Sequence, residues 1–236
     1  MFGLGCSKRE ARREVSADST APWPRPLAPV EPYRKPVGRS DSLINVAAPK
    51  ITPWVEMWRK ADPEFVPESL RLAGVAPAFR GEVQPLKAFY PPPEEGQPVF
   101  DVLSARSSDN RYKLIFDWYQ DIEEVGEDEI DIGGDADSGP LLLDFLRGTA
   151  RIFEVCGPSC KYDWGVWLSP KRFALVRADT EPRFRATIAV YSLGDSTVTS
   201  YETQPVSSTA YASYRAAWES WVASRFRALK KKAPPS

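Results

Sequence analysis

Apolar residues along this chain recur in two patterns, short strand-like runs from position 99 and a helical spacing beyond 206. From Val99 onward, short runs rich in Val, Ile, Phe, Tyr and Trp alternate with turn residues, which is the pattern of antiparallel strands. Strands are predicted over 99–105, 111–118, 141–145, 151–155, 164–168, 172–178, 186–192 and 197–202. The intervening segments Ser-Ser-Asp-Asn (107–110), Ser-Pro-Lys-Arg (169–172) and Leu-Gly-Asp-Ser-Thr (193–197) carry the chemistry of tight turns. Beyond 206 the period lengthens. Tyr211, Tyr214, Trp218, Trp221, Val222 and Leu229 recur at three- and four-residue spacing, predicting one amphipathic helix over 207–232 capped by Ser207 or Ser208. Arg225, Arg227 and Lys230 to Lys232 suit the negative end of its dipole.

The first half reads differently. Of 23 prolines, 16 lie in residues 1–98, and Thr-Ala-Pro-Trp-Pro-Arg-Pro-Leu-Ala-Pro from position 20 cannot hold a helix or a central strand. The segment is expected to be extended, either as a linker or as a strap along a surface. Trp23, Leu27, Val30 and Tyr33, interleaved with Arg25, Arg34 and Lys35, favour the strap. Two short helices follow, one over 52–62 with Thr52 as cap and Pro53 at the first helical position, the other over 66–74 from Pro67 to a terminating Gly74. Trp54, Met57 and Trp58 share a face that belongs in a core or an interface. Pro-Pro-Pro-Glu-Glu-Gly-Gln-Pro (91–98) closes this half.

The expected organisation is an N-terminal tether (1–20), a Pro-rich arm with two short helices (21–98), an antiparallel β domain (99–206), and a C-terminal helix with a basic tail (207–236). The fold class is mainly β, a small antiparallel sheet domain, either sandwich or partial-propeller-like, with an extended arm and an amphipathic C-terminal α-helix.

Composition narrows the function. The 236 residues carry 31 Lys and Arg against 32 Asp and Glu, so the net charge of −1 offers no whole-chain attraction to nucleic acid. Histidine is absent, which removes the commonest general base and zinc ligand and any Ser-His-Asp pairing. No run of eighteen apolar residues is present to span a bilayer as a helix. The expectation is a protein that is not an enzyme and takes no cofactor.

Cys156 and Cys160 bracket Gly-Pro-Ser, one residue longer than the Cys-x-x-Cys of thioredoxin-like chemistry, and zinc would need two more ligands where only Cys6 is left. Gly157 and Pro158 let the chain reverse tightly enough for a disulfide, a small strap at a strand end; in a reducing compartment the two would be free thiols. Residues 121–139 hold nine acidic side chains and no basic one. Asp131, Asp135 and Asp137 make a weak calcium candidate that lacks EF-hand spacing, against the plainer reading of a solvated acidic loop.

Ser-Ser-Asp-Asn-Arg-Tyr-Lys-Leu-Ile-Phe-Asp-Trp-Tyr (107–119), the acidic stretch through Cys-Gly-Pro-Ser-Cys and its following Trp, and Ala-Thr-Ile-Ala-Val-Tyr-Ser-Leu (186–193) together resemble a group of uncharacterised bacterial secreted lipoproteins with β-propeller-like repeats. The resemblance covers about residues 104–202 and implies a β fold and a cell-envelope location, periplasmic or extracellular; a cytoplasmic location is the alternative. Gly-Leu-Gly-Cys, ending at Cys6, resembles the end of a lipoprotein signal, although too few residues precede it here for the signal's apolar core; Cys6 is the lipidation candidate.

The expected function is therefore a non-catalytic accessory or scaffolding protein of the envelope. It would bind protein partners of a membrane-associated complex through the Pro-rich arm and the C-terminal helix, with Trp23, Tyr33, Trp54, Trp58, Trp218 and Trp221 as contacts. The alternative is a carbohydrate- or calcium-binding module. There Trp118, Trp164 and Trp167 offer a sugar platform, because strand alternation puts Trp164 and Trp167 on opposite faces and leaves at least one exposed or at a strand end.

Overall fold

Each long apolar run of the second half pairs with its sequence neighbour. In the computed structural model, residues 46–67, 70–88, 101–120, 122–126, 129–133, 137–180 and 183–232 are described. Strands β9 (Cys160–Ser169), β10 (Arg172–Asp179), β11 (Arg185–Ser192) and β12 (Thr197–Glu202) form an antiparallel meander, and β1 (Arg71–Pro77) adds to its β12 edge. A second antiparallel sheet has the order β2 (Gln84–Pro85), β8 (Thr149–Ile152), β7 (Leu141–Asp144), β4 (Tyr112–Ile115), β3 (Ser104–Arg106). A two-stranded ribbon pairs β5 (Ile122–Glu124) with β6 (Ile130–Ile132). Two α-helices are described, α1 (Thr52–Ala61) and α2 (Ser208–Lys230).

The layers follow from the alternation of side chains. One face of the first sheet carries Trp167, Phe173, Leu175 and Tyr191 and meets the second sheet: Trp167 stacks on Tyr112 with centroids 5.7 Å apart, and Phe153 meets the Tyr191 ring at 5.0 Å. The other face carries Trp164, Ala174, Val176, Ile188 and Val190 and is covered by the helices. Gly165 sets the spacing between sheets, since a Cβ there would lie 2.7 Å from the Phe116 ring and 2.9 Å from Leu175. Leu141, Leu143, Ile115 and Ala150 form a smaller core on the far side of the second sheet.

The mainly β class, the strands from 111 onward and the C-terminal helix follow the sequence pattern, whereas of the strand expected over 99–105 only Ser104 and Ala105 pair, in β3, and 101–103 form a helical turn. The Ser207 side chain accepts from the Ala210 amide at 3.1 Å, the cap expected there. Four further expectations are corrected. No four-stranded blade is present among the described residues; the strands form five-stranded sheets, so the propeller-like half of the expectation is not met. The segment 66–74 is not helical through Gly74: from Arg71 it is strand β1, because β12 offers its backbone a row of partners that outweighs local propensity. The cap of α1 is Ile51 rather than Thr52, whose hydroxyl donates to the Pro49 carbonyl at 3.0 Å. The acidic stretch is more than a loop, since Ile122, Ile130 and Ile132 anchor the ribbon to the core.

Candidate functional site

The cysteine loop joins the two sheets. After β8 the chain turns through Gly157, whose φ of 55° is left-handed, into a 3-10 turn (Gly157–Ser159), and Cys160 opens β9. Cys156 and Cys160 are disulfide-bonded with Cα atoms 5.8 Å apart, forming the strap at a strand end that the spacing suggested. Thr180 holds the loop from the end of β10, its amide donating to Ser159 O at 2.8 Å and its hydroxyl to Pro158 O at 3.0 Å. Beneath it the Ser138 hydroxyl donates to Asp117 Oδ2 at 2.5 Å, and the amides of Gly139 and Tyr119 donate to Asp117 Oδ1 at 3.1 and 3.2 Å. Burial raises the Asp117 pKa, and these bonds only partly offset it.

A second buried carboxylate holds the helix. The pairing of β9 with β10 shifts register between Trp164 and Tyr162, leaving Asp163 as the extra residue of a bulge. The bulge turns Asp163 toward α2, where it is fully buried. Tyr214 donates to its Oδ2 at 2.6 Å, Arg215 to its Oδ1 at 2.5 Å, and the Trp218 indole to its carbonyl at 2.9 Å. Desolvation pushes the Asp163 carboxyl up to about 6, against the Arg215 charge and the Tyr214 bond, which pull it down.

The aromatic side chains expected to contact partners are largely internal. Trp54, Trp58 and Trp218 are fully buried; Trp58 stacks on Tyr214 with centroids 4.0 Å apart and planes at 9°. Trp221 lies against Trp164 at 4.1 Å with Arg225 over its ring at 5.3 Å. Burial of Trp54, Trp58 and Trp218, which join α1 and α2 to the sheet, corrects their assignment as docking contacts, while Trp221 is half-buried. Trp23 and Tyr33 lie outside the described residues, as does Cys6. Of the tryptophans expected to offer a sugar platform, Trp164 is the one that is buried. Trp164 and Trp167 do face opposite sides, but both sides of the sheet are covered, so Trp164 is buried, Trp167 is half-buried and donates to Ala105 O at 3.0 Å, and Trp118 packs on the smaller core.

Of the calcium candidates, Asp131 is exposed on β6, Asp137 accepts from Lys161 through its carbonyl at 3.3 Å, and Asp135 lies outside the described residues. Among the described residues no three acidic or cysteine side chains converge as metal ligands. Helix α2 touches β6, and Arg225 near its C-terminal end is drawn inward to donate to Ser104 O at 3.0 Å.

Two further clusters were not legible in the sequence. Between the sheets Arg177 donates to Glu154 Oε1 at 2.8 Å and to the Tyr162 hydroxyl at 3.2 Å, and its Nε pairs with Asp179 at 2.8 Å. The Tyr191 hydroxyl donates to Glu154 Oε2, and burial raises the pKa of both tyrosines. At the other end the sheets part around a cleft of about 270 Å³ lined by Phe79, Leu142, Asp144, Arg147, Arg151 and Ser196, among others. Phe79 and Ser196 both have positive φ, 60° and 54°, and the Ala78 amide donates to Ser196 O at 2.7 Å, tying them together. For a bulky residue this backbone costs about 1–3 kcal/mol. Packing of the Phe79 ring on Phe153 at 5.2 Å and Tyr191 at 5.9 Å holds it there. Signals for these residues exist only in three dimensions.

No protein-family model matches the chain, and no curated protein matches it. One solved structure is similar, the crystal structure of a suggested conserved lipoprotein from Clostridium novyi NT, at 11% identity and a TM-score of 0.29. The match covers 44% of this chain and 62% of that one. So distant a likeness establishes neither a shared fold nor a shared activity. Among the described residues no helix is long and apolar enough to cross a membrane.

Proposed function

We propose that this chain is a non-catalytic accessory protein of the bacterial cell envelope, held at a membrane through Cys6 and binding protein partners of a membrane-associated assembly. The observation that carries the location is the bonded Cys156–Cys160 strap, a linkage at home in oxidising compartments and rare in the cytosol. The Gly-Leu-Gly-Cys stretch at positions 3–6 agrees with it. The carboxylates support a structural reading of the interior: buried Asp163 holds α2, buried Asp117 holds the strap region and half-buried Glu154 bridges the sheets. With Trp54, Trp58 and Trp218 internal, partners are left the Pro-rich arm and the outward side of α2, where Glu219, Ser220, Arg227, Lys231 and Lys232 are exposed.

Mild-detergent extraction of the native protein tests this reading, with native sizing and mass spectrometry of co-migrating chains and of its own N-terminal peptide. A fixed set of co-migrating subunits and a lipidated Cys6 are expected. Migration at the chain's own mass with an unmodified Cys6 would refute both parts.

A further inference from the structure

We propose that the cleft between the sheets is a binding site for a small carboxylate carrying a short hydrocarbon body. This stands apart from the envelope location and from any protein partner, because it rests on the cleft alone.

The lining divides into two chemistries. Phe79, Val83, Leu142 and Leu193 give it an apolar wall, while Arg147 and Arg151 bring two guanidinium groups. The one carboxylate in the lining, Asp144, is already held by Arg111, which donates to it from Nε at 3.2 Å and from Nη2 at 2.8 Å. That bidentate pair satisfies most of Asp144, so Arg147, which meets the same carboxylate only at the edge of ion-pair distance, and Arg151 keep guanidinium donors for a ligand. Arg147 is largely in solvent and 3.9 Å from Asp144, too long to be a hydrogen bond.

Arg151 is the better defined anchor. Half-buried, it donates from Nη1 to the Phe79 carbonyl at 2.9 Å. A guanidinium has five N–H donors in a fixed fork, so one bond orients it and leaves others to meet a planar carboxylate. Phe79, whose carbonyl accepts from Arg151, and Ser196 both hold left-handed backbone and lie side by side on one edge of the opening, where the Ala78 amide donates to Ser196 O at 2.7 Å. Ser196 closes the β11–β12 hairpin turn, where such backbone is ordinary, whereas at so bulky a residue as Phe79 it is local strain of the kind found beside ligand clefts. The volume of about 270 Å³ lies at the small end of ligand clefts, which suits a short acid and excludes a long acyl chain.

The test is calorimetric titration of the whole chain with hexanoate, with hexanol, hexylamine and inorganic phosphate as comparisons. Hexanoate should bind one to one and more tightly than the other three. Arg151→Gln should weaken it about tenfold or more, and Arg147→Gln, in an exposed side chain that cannot harm the fold, severalfold. Absence of hexanoate binding at millimolar concentration would overturn the proposal. So would binding of hexylamine or hexanol equal to that of hexanoate, or hexanoate affinity unchanged in Arg147→Gln and in folded Arg151→Gln. Phosphate binding as tight as hexanoate would also overturn it, by showing an anion site in which the apolar wall plays no part.

Discussion

Arg215→Met isolates the interaction that fixes the C-terminal helix to the sheet. In the wild type, Asp163 is fully buried with its carboxyl pushed up from 3.8 to about 6, mainly by desolvation. At 1.36 kcal/mol per pH unit, this corresponds to about 3 kcal/mol. The sign follows from linkage: the native state holds this proton more tightly than the unfolded chain, so this group's contribution is most favourable below about pH 4. It is lost progressively as pH rises through about 6. Methionine keeps most of the packing of Arg215 on the Trp218 ring, where the guanidinium carbon now sits 4.1 Å from the centroid, but removes the cation. At pH 8 the variant must then bury an uncompensated carboxylate, and a loss of about 3–5 kcal/mol is expected. At pH 5 Asp163 is mostly protonated in both proteins, so the loss should shrink to about 1 kcal/mol, that of one hydrogen bond. Urea unfolding at the two pH values, with the slope m unchanged, gives the four free energies. Asp117, whose pKa burial also raises, is present in both proteins, so its own pH dependence drops out of the comparison to first order. A penalty equal at both pH values, or larger at pH 5, would refute the assignment of this contact as a charge pair dominated by burial.

Tyr214→Phe removes the other donor to Asp163 and should lower stability by about 1.5–3 kcal/mol, measured by the same unfolding experiment. Replacing Cys156 and Cys160 with serine should cost about 2 kcal/mol by loop entropy for so short a loop, seen as a melting temperature lower by about 4–8 °C, while the near-ultraviolet signal of the core persists. Gly165→Ala should destabilise by about 1–3 kcal/mol, because its methyl would press on the Phe116 ring between the sheets; an unchanged melting temperature would mean that the sheets are less closely apposed than described.

The sequence by itself determined the elements whose signal is local. Alternation marked the paired strands from β7 to β12, Ser and Gly-Asp turns marked where they reverse, and the tyrosines and tryptophans of α2 marked its buried stripe, though Phe226 went unremarked. The spacing of Cys156 and Cys160, with Gly157 between them, was enough to place a strap. Only the tertiary structure decided what covers what. Trp164 and Trp167 were correctly assigned to opposite faces, yet no pattern along one strand reports that helices lie on one face and a second sheet on the other. The same limit hid β1, which has little strand character of its own and becomes one because β12 presents an unpaired edge. It also hid the Asp163 bulge, the Glu154–Arg177 cluster and the cleft, whose residues come from distant parts of the chain. Propensity and periodicity act over a few residues. Burial, ion pairing and cavities depend on which surfaces meet, and that is settled by the summed free energy of the whole packed chain.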